Sequence, residues 1–318
     1  MSTRRMQGFT LVELMVAMVL GLVVIGGVVS VFLANQQVYR TNKAMSDVQG
    51  NSRIAFELMA RDARTAGLTG CGNASRIANV VNNNTAAANW FVNWTAPVAG
   101  YAASQTDPVA GTDRTGSDSL VLLGAEGSGV SVKTDTASSA TIVLNEAKTS
   151  LAAGDFVVIC DPDHAVIAQL SGVSGSTLTH AKTGTPGNCT LDLSYPTVCA
   201  SSNTYTFSAN ALVARLTASS WYVGTNAVNG SSLFRKSLGP GGTLSTDEMV
   251  RDVSAMSLQY HQSGDVAFVT ADNVTNWPSV DALQITLTTI SVDQRAGVNA
   301  APISRTFTST TTLRNRVQ

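Results

Sequence analysis

From Leu14 to Ala34 the chain runs for 21 residues without a charge, and nearly every side chain is apolar. One carboxylate, Glu13, stands at the head of this run, and a short basic leader, Met1 to Gly8 with Arg4 and Arg5, precedes it. From Phe9 to Ala34 there are 26 residues, and Glu13 is the only charged one. At ~1.5 Å per residue this is roughly 39 Å of helix, enough to cross a hydrocarbon layer of about 30 Å with some tilt. A helix apolar on every face belongs in a membrane or at the centre of a large core. Arg4 and Arg5 place the N-terminus in the cytoplasm by the positive-inside rule, so the residues after Ala34 are expected outside it.

A cleavable secretory signal explains this segment poorly. The apolar run is too long, no A-x-A site follows it, and an acidic residue lies near its start. A plain membrane anchor leaves Glu13 unexplained. A carboxylate at membrane depth costs roughly 2.5–3.5 kcal/mol on insertion scales, so it calls for a partner or a function.

Gly8-Phe9-Thr10-Leu11-Val12-Glu13 resembles the G-F-T-L-x-E signal of type IV prepilins. The resemblance implies that a membrane-embedded prepilin peptidase cuts between Gly8 and Phe9 and that Phe9 is then N-methylated. It also implies that Glu13, fifth in the mature chain, pairs with the first-residue amine of a neighbouring subunit. Gly8 suits an accessible backbone at a protease site. In low dielectric such a charge pair sets register between subunits, while the apolar helix supplies affinity.

The helix is expected to continue past the membrane. Met45, Val48, Ala55, Met59, Ala63 and Ala66 recur near helical spacing, and no proline occurs before Pro97. Arg53/Glu57 and Glu57/Arg61 form i,i+4 pairs, read here as a solvated face. Gly67 and the Gly70-Cys71-Gly72-Asn73 cluster predict its end, giving one helix of roughly 55–60 residues. Gly21, Gly26 and Gly27 in the span permit close helix approach, though lipid-facing glycines would look the same.

From Ala74 onward Ser, Thr, Asn, Gly and Ala dominate. Asn79 to Trp94 reads as an irregular surface segment. Short apolar runs between turns predict strands at Ser119–Gly124, Thr141–Leu144, Asp155–Cys160, Ala165–Leu170, Leu212–Leu216, Ser220–Val223, Leu233–Lys236, Met256–Tyr260, Leu283–Ile290 and Arg305–Leu313. Val228-Asn229-Gly230-Ser231 predicts a hairpin turn. The expected fold is α+β and pilin-like. It comprises a leader (residues 1–8), a transmembrane half-helix (9–34), an outer half-helix (35–70) and a β-rich globular domain (71–318).

Three further stretches narrow the resemblance. Gly154-Asp155-Phe156-Val157-Val158, Trp221-Tyr222-Val223-Gly224 with Ser232-Leu233-Phe234-Arg235, and Thr312-Leu313-Arg314-Asn315-Arg316 resemble PilW-type minor pilins. This implies a subunit that joins other minor pilins and the major pilin in a complex priming pilus assembly at the tip. It further implies residence in the inner membrane, with the globular domain in the periplasm, before transfer to the pilus. The J-class pseudopilin of type II secretion shares the N-terminus and is typically shorter. A tip adhesin or DNA-uptake subunit is the alternative of a different class.

Cys71, Cys160, Cys189 and Cys199 all lie outside the apolar segment, and an even count in an oxidising compartment predicts two disulfides. Three connectivities are possible. Cys189–Cys199 closes a short loop containing Pro196, which favours that pair and leaves Cys71 for Cys160. No C-x-x-C occurs and His164, His180 and His261 are scattered, so no metal and no cofactor is expected. Asp161-Pro162-Asp163-His164 reads as a polar loop, and Gly239-Pro240-Gly241-Gly242 as a turn. H-E-x-x-H, phosphate-loop and G-x-S-x-G motifs are missing, which argues against an enzyme. A net charge of −1 gives no electrostatic footprint for nucleic acid.

Overall fold

The computed structural model describes residues 10–71, 76–126, 129–147, 149–200 and 204–313. Helix α1 spans Leu11–Thr65. Fifteen strands follow among the described residues. They are β1 (Ile77–Asn79), β2 (Val98–Tyr101), β3 (Ser119–Ala125), β4 (Val130–Thr136), β5 (Thr141–Leu144), β6 (Phe156–Cys160), β7 (Ala165–Gln169) and β8 (Gly172–Ser174). The others are β9 (Thr177–Thr179), β10 (Leu212–Thr225), β11 (Ser231–Leu238), β12 (Leu244–Arg251), β13 (Val253–Gln262), β14 (Val280–Ile290) and β15 (Ser304–Thr312). A long apolar N-terminal helix followed by a β-rich globular part is the α+β, pilin-like architecture.

The residues divide into two compact units. The first takes in α1 up to Gln49 and the segment Ile290–Ser304. Here Thr41 donates its hydroxyl to the Ala296 carbonyl at 2.6 Å, and Gln37 donates to the same oxygen at 3.2 Å. Arg40 meets Asp293 at 3.2 Å. Ala44, Ala296 and Ile303 bury one another, with Met45 packed alongside. Small residues on the helix thus admit a connecting loop at close range.

The second unit runs from Gly50 to Thr289 and resumes at Arg305. A 12-stranded sheet is organised around β10, and β13, β14 and β15 form a separate three-stranded sheet. The first half of β10 pairs with β6 and β4, and its second half with β3 and β11. Burial explains the sequence of these strands. On β3, Leu120 and Leu122 enter a core with Ala55, Met59 and Ala63 of the helix, while Val121 and Leu123 enter a second core on the other face. On β6, Phe156 and Val158 join that second core, and Val157 and Ile159 join a third with Ile142 and Leu178. Strands buried on both faces read as continuous apolar runs rather than alternating ones.

Several expectations are corrected. Leu212–Leu216 and Ser220–Val223 are one strand, because Ala218 and Ser219 between them are buried small residues of the ladder rather than a turn. Asn79 to Trp94 is not an irregular surface segment. It contains part of β1 and a 3₁₀ turn (Ala87–Val92) whose Trp90, Phe91 and Val92 are buried. Phe91 packs on Phe156 with ring centroids 5.0 Å apart. The helix, by contrast, ends as expected: it stops at Thr65, and Gly67 just beyond takes the left-handed conformation of a terminating glycine, with φ 75°. There Gly67 donates its amide to the Leu123 carbonyl at 2.7 Å and Ala66 bridges to Gly124. A Cβ on Gly124 would overlap the Thr65 carbonyl, so glycine permits this docking. The turn at Val228–Ser231 forms, with Asn229 at φ 59° and Thr225 paired to Ser231.

Two polar clusters hold the unit together. Asp62 on α1 accepts from Trp221 Nε1 at 3.0 Å and from Arg235 Nε at 2.8 Å, fixing the helix to β10 and β11. Asp155 is fully buried and accepts from Arg215 at 3.1 Å, the Ala152 amide at 2.8 Å and the Gly241 amide at 2.6 Å. Gly154 has φ 89°, and a Cβ there would sit 2.6 Å from the Gly241 carbonyl. Gly154-Asp155 and the Gly239–Gly242 turn are therefore one interlocked corner. Disulfides join Cys71 to Cys160, with Cα atoms 6.0 Å apart, and Cys189 to Cys199, with Cα atoms 5.2 Å apart.

Candidate functional site: the exposed N-terminal helix

Gly8 and Phe9 lie outside the described residues. At the start of the helix, Thr10 and Glu13 form a reciprocal cap. The Thr10 amide and hydroxyl each donate to Glu13 Oε2 at 2.9 Å, and the Glu13 amide donates to Thr10 Oγ1 at 3.3 Å. T-x-x-E is the sequence signature of such a capping box. The helix N-terminus carries partial positive charge, so it is a favourable place for a carboxylate. Glu13 thus has a ligand within its own chain.

Behind the cap the helix surface is bare. Large apolar side chains from Leu11 to Leu33 are 49–75% exposed, a surface that water would penalise strongly. Length and composition suffice for a membrane crossing. A Cβ added at Gly21, Gly26 or Gly27 would meet nothing within 4 Å, so these positions are notches on an open surface. The arrangement offers a lateral apolar surface with one hydrogen-bond acceptor near its end.

The remaining polar residues are spent on structure. His164 is buried, with Nδ1 2.8 Å from Asp163 and Nε2 2.7 Å from the Leu193 carbonyl. Asp161 Oδ1 accepts from the amides of Asp163 and His164, closing the turn between β6 and β7. His261 pairs with Asp281 at 2.6 Å. Among the described residues no group of His, Cys, Asp and Glu is arranged to hold a metal. Sequence reasoning missed Asp62, Trp221 and Arg235 as a cluster, because their contact spans 173 residues.

His180 is buried, and its ring nitrogens find no partner among the described residues. Burial pushes it down to about 4. Below the ordinary histidine value of about 6.5 the unfolded chain takes up a proton that the folded chain refuses. Stability is therefore complete above that value and falls as the pH drops towards 4, by up to about 3 kcal/mol. Asp281 raises His261, so its contribution has the opposite sign: it is present in acid and lost as the pH rises through the folded value. Thermal unfolding between pH 7 and pH 4.5 is expected to show a falling Tm, and His180→Leu to remove most of the fall. A variant with an unchanged pH slope would refute the assignment.

Comparison with known families agrees with this architecture. The prokaryotic N-terminal methylation motif matches residues 3–29, and the type IV pilus-assembly protein W family matches residues 220–315. No curated protein and no solved structure matches the chain. The apolar helix and the prepilin leader motif fit an inner-membrane-anchored protein with a globular domain, later in the pilus. The leader motif implies processing by prepilin peptidase, and the pilus role implies contacts with other pilus components. The second match supports, more narrowly, a PilW-type minor pilin of type IV pilus assembly. It spans the second half of β10 through β15, which includes the whole three-stranded sheet.

Proposed function

We propose that this chain is a minor pilin of a tip complex that primes pilus assembly together with other minor pilins and the major pilin. Cleavage falls between Gly8 and Phe9, Phe9 is N-methylated, and residues 9–34 hold the protein in the inner membrane until extraction. The observation that carries this reading is the exposed apolar helix with its single carboxylate, joined to a domain that contains the PilW-like region. Deleting the gene and counting surface pili tests it, with complementation as the control. Loss of pili supports the reading. Normal pili with lost adhesion overturn it in favour of a binding subunit, and normal pili with impaired protein secretion favour a type II pseudopilin.

Glu13 acts after insertion in this scheme, since its charge is a cost in the bilayer and a gain once paired. Glu13→Gln separates two roles. A glutamine still accepts the Thr10 hydrogen bonds of a capping box, so the helix start is kept while the charge is lost. The variant is expected to be cleaved and membrane-bound yet to co-purify poorly with other pilins. Recovery of partners at the wild-type level would remove Glu13 from the assembly mechanism.

A further inference from the structure

The outer side of the three-stranded sheet ends on β15, whose second edge pairs with no strand among the described residues. The register of β15 on β14 follows from three contacts. Thr286 and Thr308 hydroxyls lie 3.0 Å apart, those of Thr288 and Thr306 3.1 Å apart, and the Leu313 amide donates to the Asp281 carbonyl at 2.8 Å. In an antiparallel ladder every second residue bonds its neighbour strand. Counting back from Leu313, residues Thr311, Ser309, Phe307 and Arg305 turn their backbone groups towards β14. Thr306, Thr308, Thr310 and Thr312 turn theirs away from it.

The chemistry of this edge is unusual for an exposed strand. Proteins commonly blunt free edges with charges, prolines or bulges. The edge strand β12 follows that rule: it carries Asp247, Glu248 and Arg251 and has a register shift against β11. In contrast, β15 spans nine residues with no proline and a single charge, Arg305, at its start. Thr306, Thr308, Thr310 and Thr312 are all exposed. The solvent face behind Thr306 and Thr308 is uncharged as well, the His261–Asp281 pair lying further along at the row of Thr312. Thr286 and Thr288 of β14 and Ser257 and Ala255 of β13 lie in the same cross-strand rows as Thr308 and Thr306.

We propose that the free edge of β15 receives an extended strand from a different subunit of the pilus. The donated strand pairs its backbone with Thr306, Thr308, Thr310 and Thr312 and lays small or hydroxyl-bearing side chains beside the threonine rows. A second copy of this chain is the wrong occupant for growth. Two-fold pairing of β15 with β15 closes a dimer, whereas a strand donated by a different subunit leaves the assembly open. This inference rests on the pilin reading above and adds an interface that the membrane helix does not supply.

The test uses the full-length protein in its own cells, with a photoreactive side chain introduced as Thr310→benzoylphenylalanine. Illumination is expected to give an adduct with another pilus subunit. Thr308→Pro removes an outward amide without touching the β14 ladder and should reduce the adduct by about tenfold, while Thr308→Val should keep it. Both disulfides and the thermal transition serve as the folding control. If the proline variant fails that control, the doubly charged edge Thr306→Lys with Thr308→Lys is used, and the same loss is expected. An adduct with a second copy of the chain, no adduct, or an adduct indifferent to a folded edge variant overturns the proposal. Co-purification of the unmodified protein separates the two levels. Pilus subunits recovered without an adduct at position 310 reject strand addition alone, and no pilus subunit recovered at all rejects the pilin reading.

Discussion

Removing the Cys71–Cys160 bond by paired alanine substitution is expected to lower stability by about 4–5 kcal/mol in the chain-entropy model, and removing Cys189–Cys199 by about 2–3 kcal/mol. The difference follows from loop length, since the first bond closes 89 residues and the second only 10. It also follows from position. Cys160 is buried at the end of β6 in the second core, and Cys71 lies six residues past the helix end, half-buried against the same cluster. The long loop takes in β1 through β6, with β3 and β4 on one edge of β10 and β6 on the other, so opening it frees strands from both edges in the unfolded ensemble. Urea unfolding of the two paired variants in detergent measures both losses. Equal losses, or a larger loss for Cys189–Cys199, would contradict this account.

Blocking the leader cut should have the largest effect on the route to the pilus. Gly8→Phe or Gly8→Arg puts a side chain where the prepilin motif has none, and the basic leader should stay attached to nearly all of the protein. The retained leader holds Arg4 and Arg5 at the cytoplasmic face and leaves no free amine at Phe9 for Glu13 of a neighbour. Intact-mass analysis reads the outcome directly. In the wild type the expected mature chain starts at an N-methylated Phe9. Normal cleavage of the Gly8 variants, or a mature wild-type chain retaining Met1–Gly8 or beginning near Ala34, would refute the assignment.

The sequence announces the parts of this fold whose residues are apolar for a local reason. The span needs every face apolar, so Leu14–Ala34 is unmistakable. The doubly buried β3 and β6 need apolar side chains on both faces, and their runs are equally plain. Where burial is achieved by small polar residues the signal vanishes. Ser219 is buried in β10 yet falls in the gap between two expected strands. Trp90 and Phe91 are core residues set among Asn and Ala, and the surrounding composition masks them. Edge strand β12 has five exposed residues at its start, so it lacks the alternation that would reveal it. Of the candidate site, Glu13 stands out because a charge there breaks the apolar pattern. Its hydrogen bonds to Thr10 are legible in T-x-x-E, but the long-range contacts of Asp62 within the chain leave no trace in local spacing.

The covalent link from Cys71 to Cys160 also has a mechanical meaning. A pilus subunit is loaded through its N-terminal helix whenever the filament is pulled. Without the link, tearing β6 from its neighbours would release the chain between these two residues, roughly 300 Å of extended contour at about 3.4 Å per residue. With the link, their Cα atoms stay 6.0 Å apart whatever happens to the strands between them. Force that reaches Cys71 from the helix bypasses that whole stretch and crosses into β6, the strand that lies beside β10. The subunit therefore yields as a short tether rather than a long one, and slack in this segment cannot lengthen the filament.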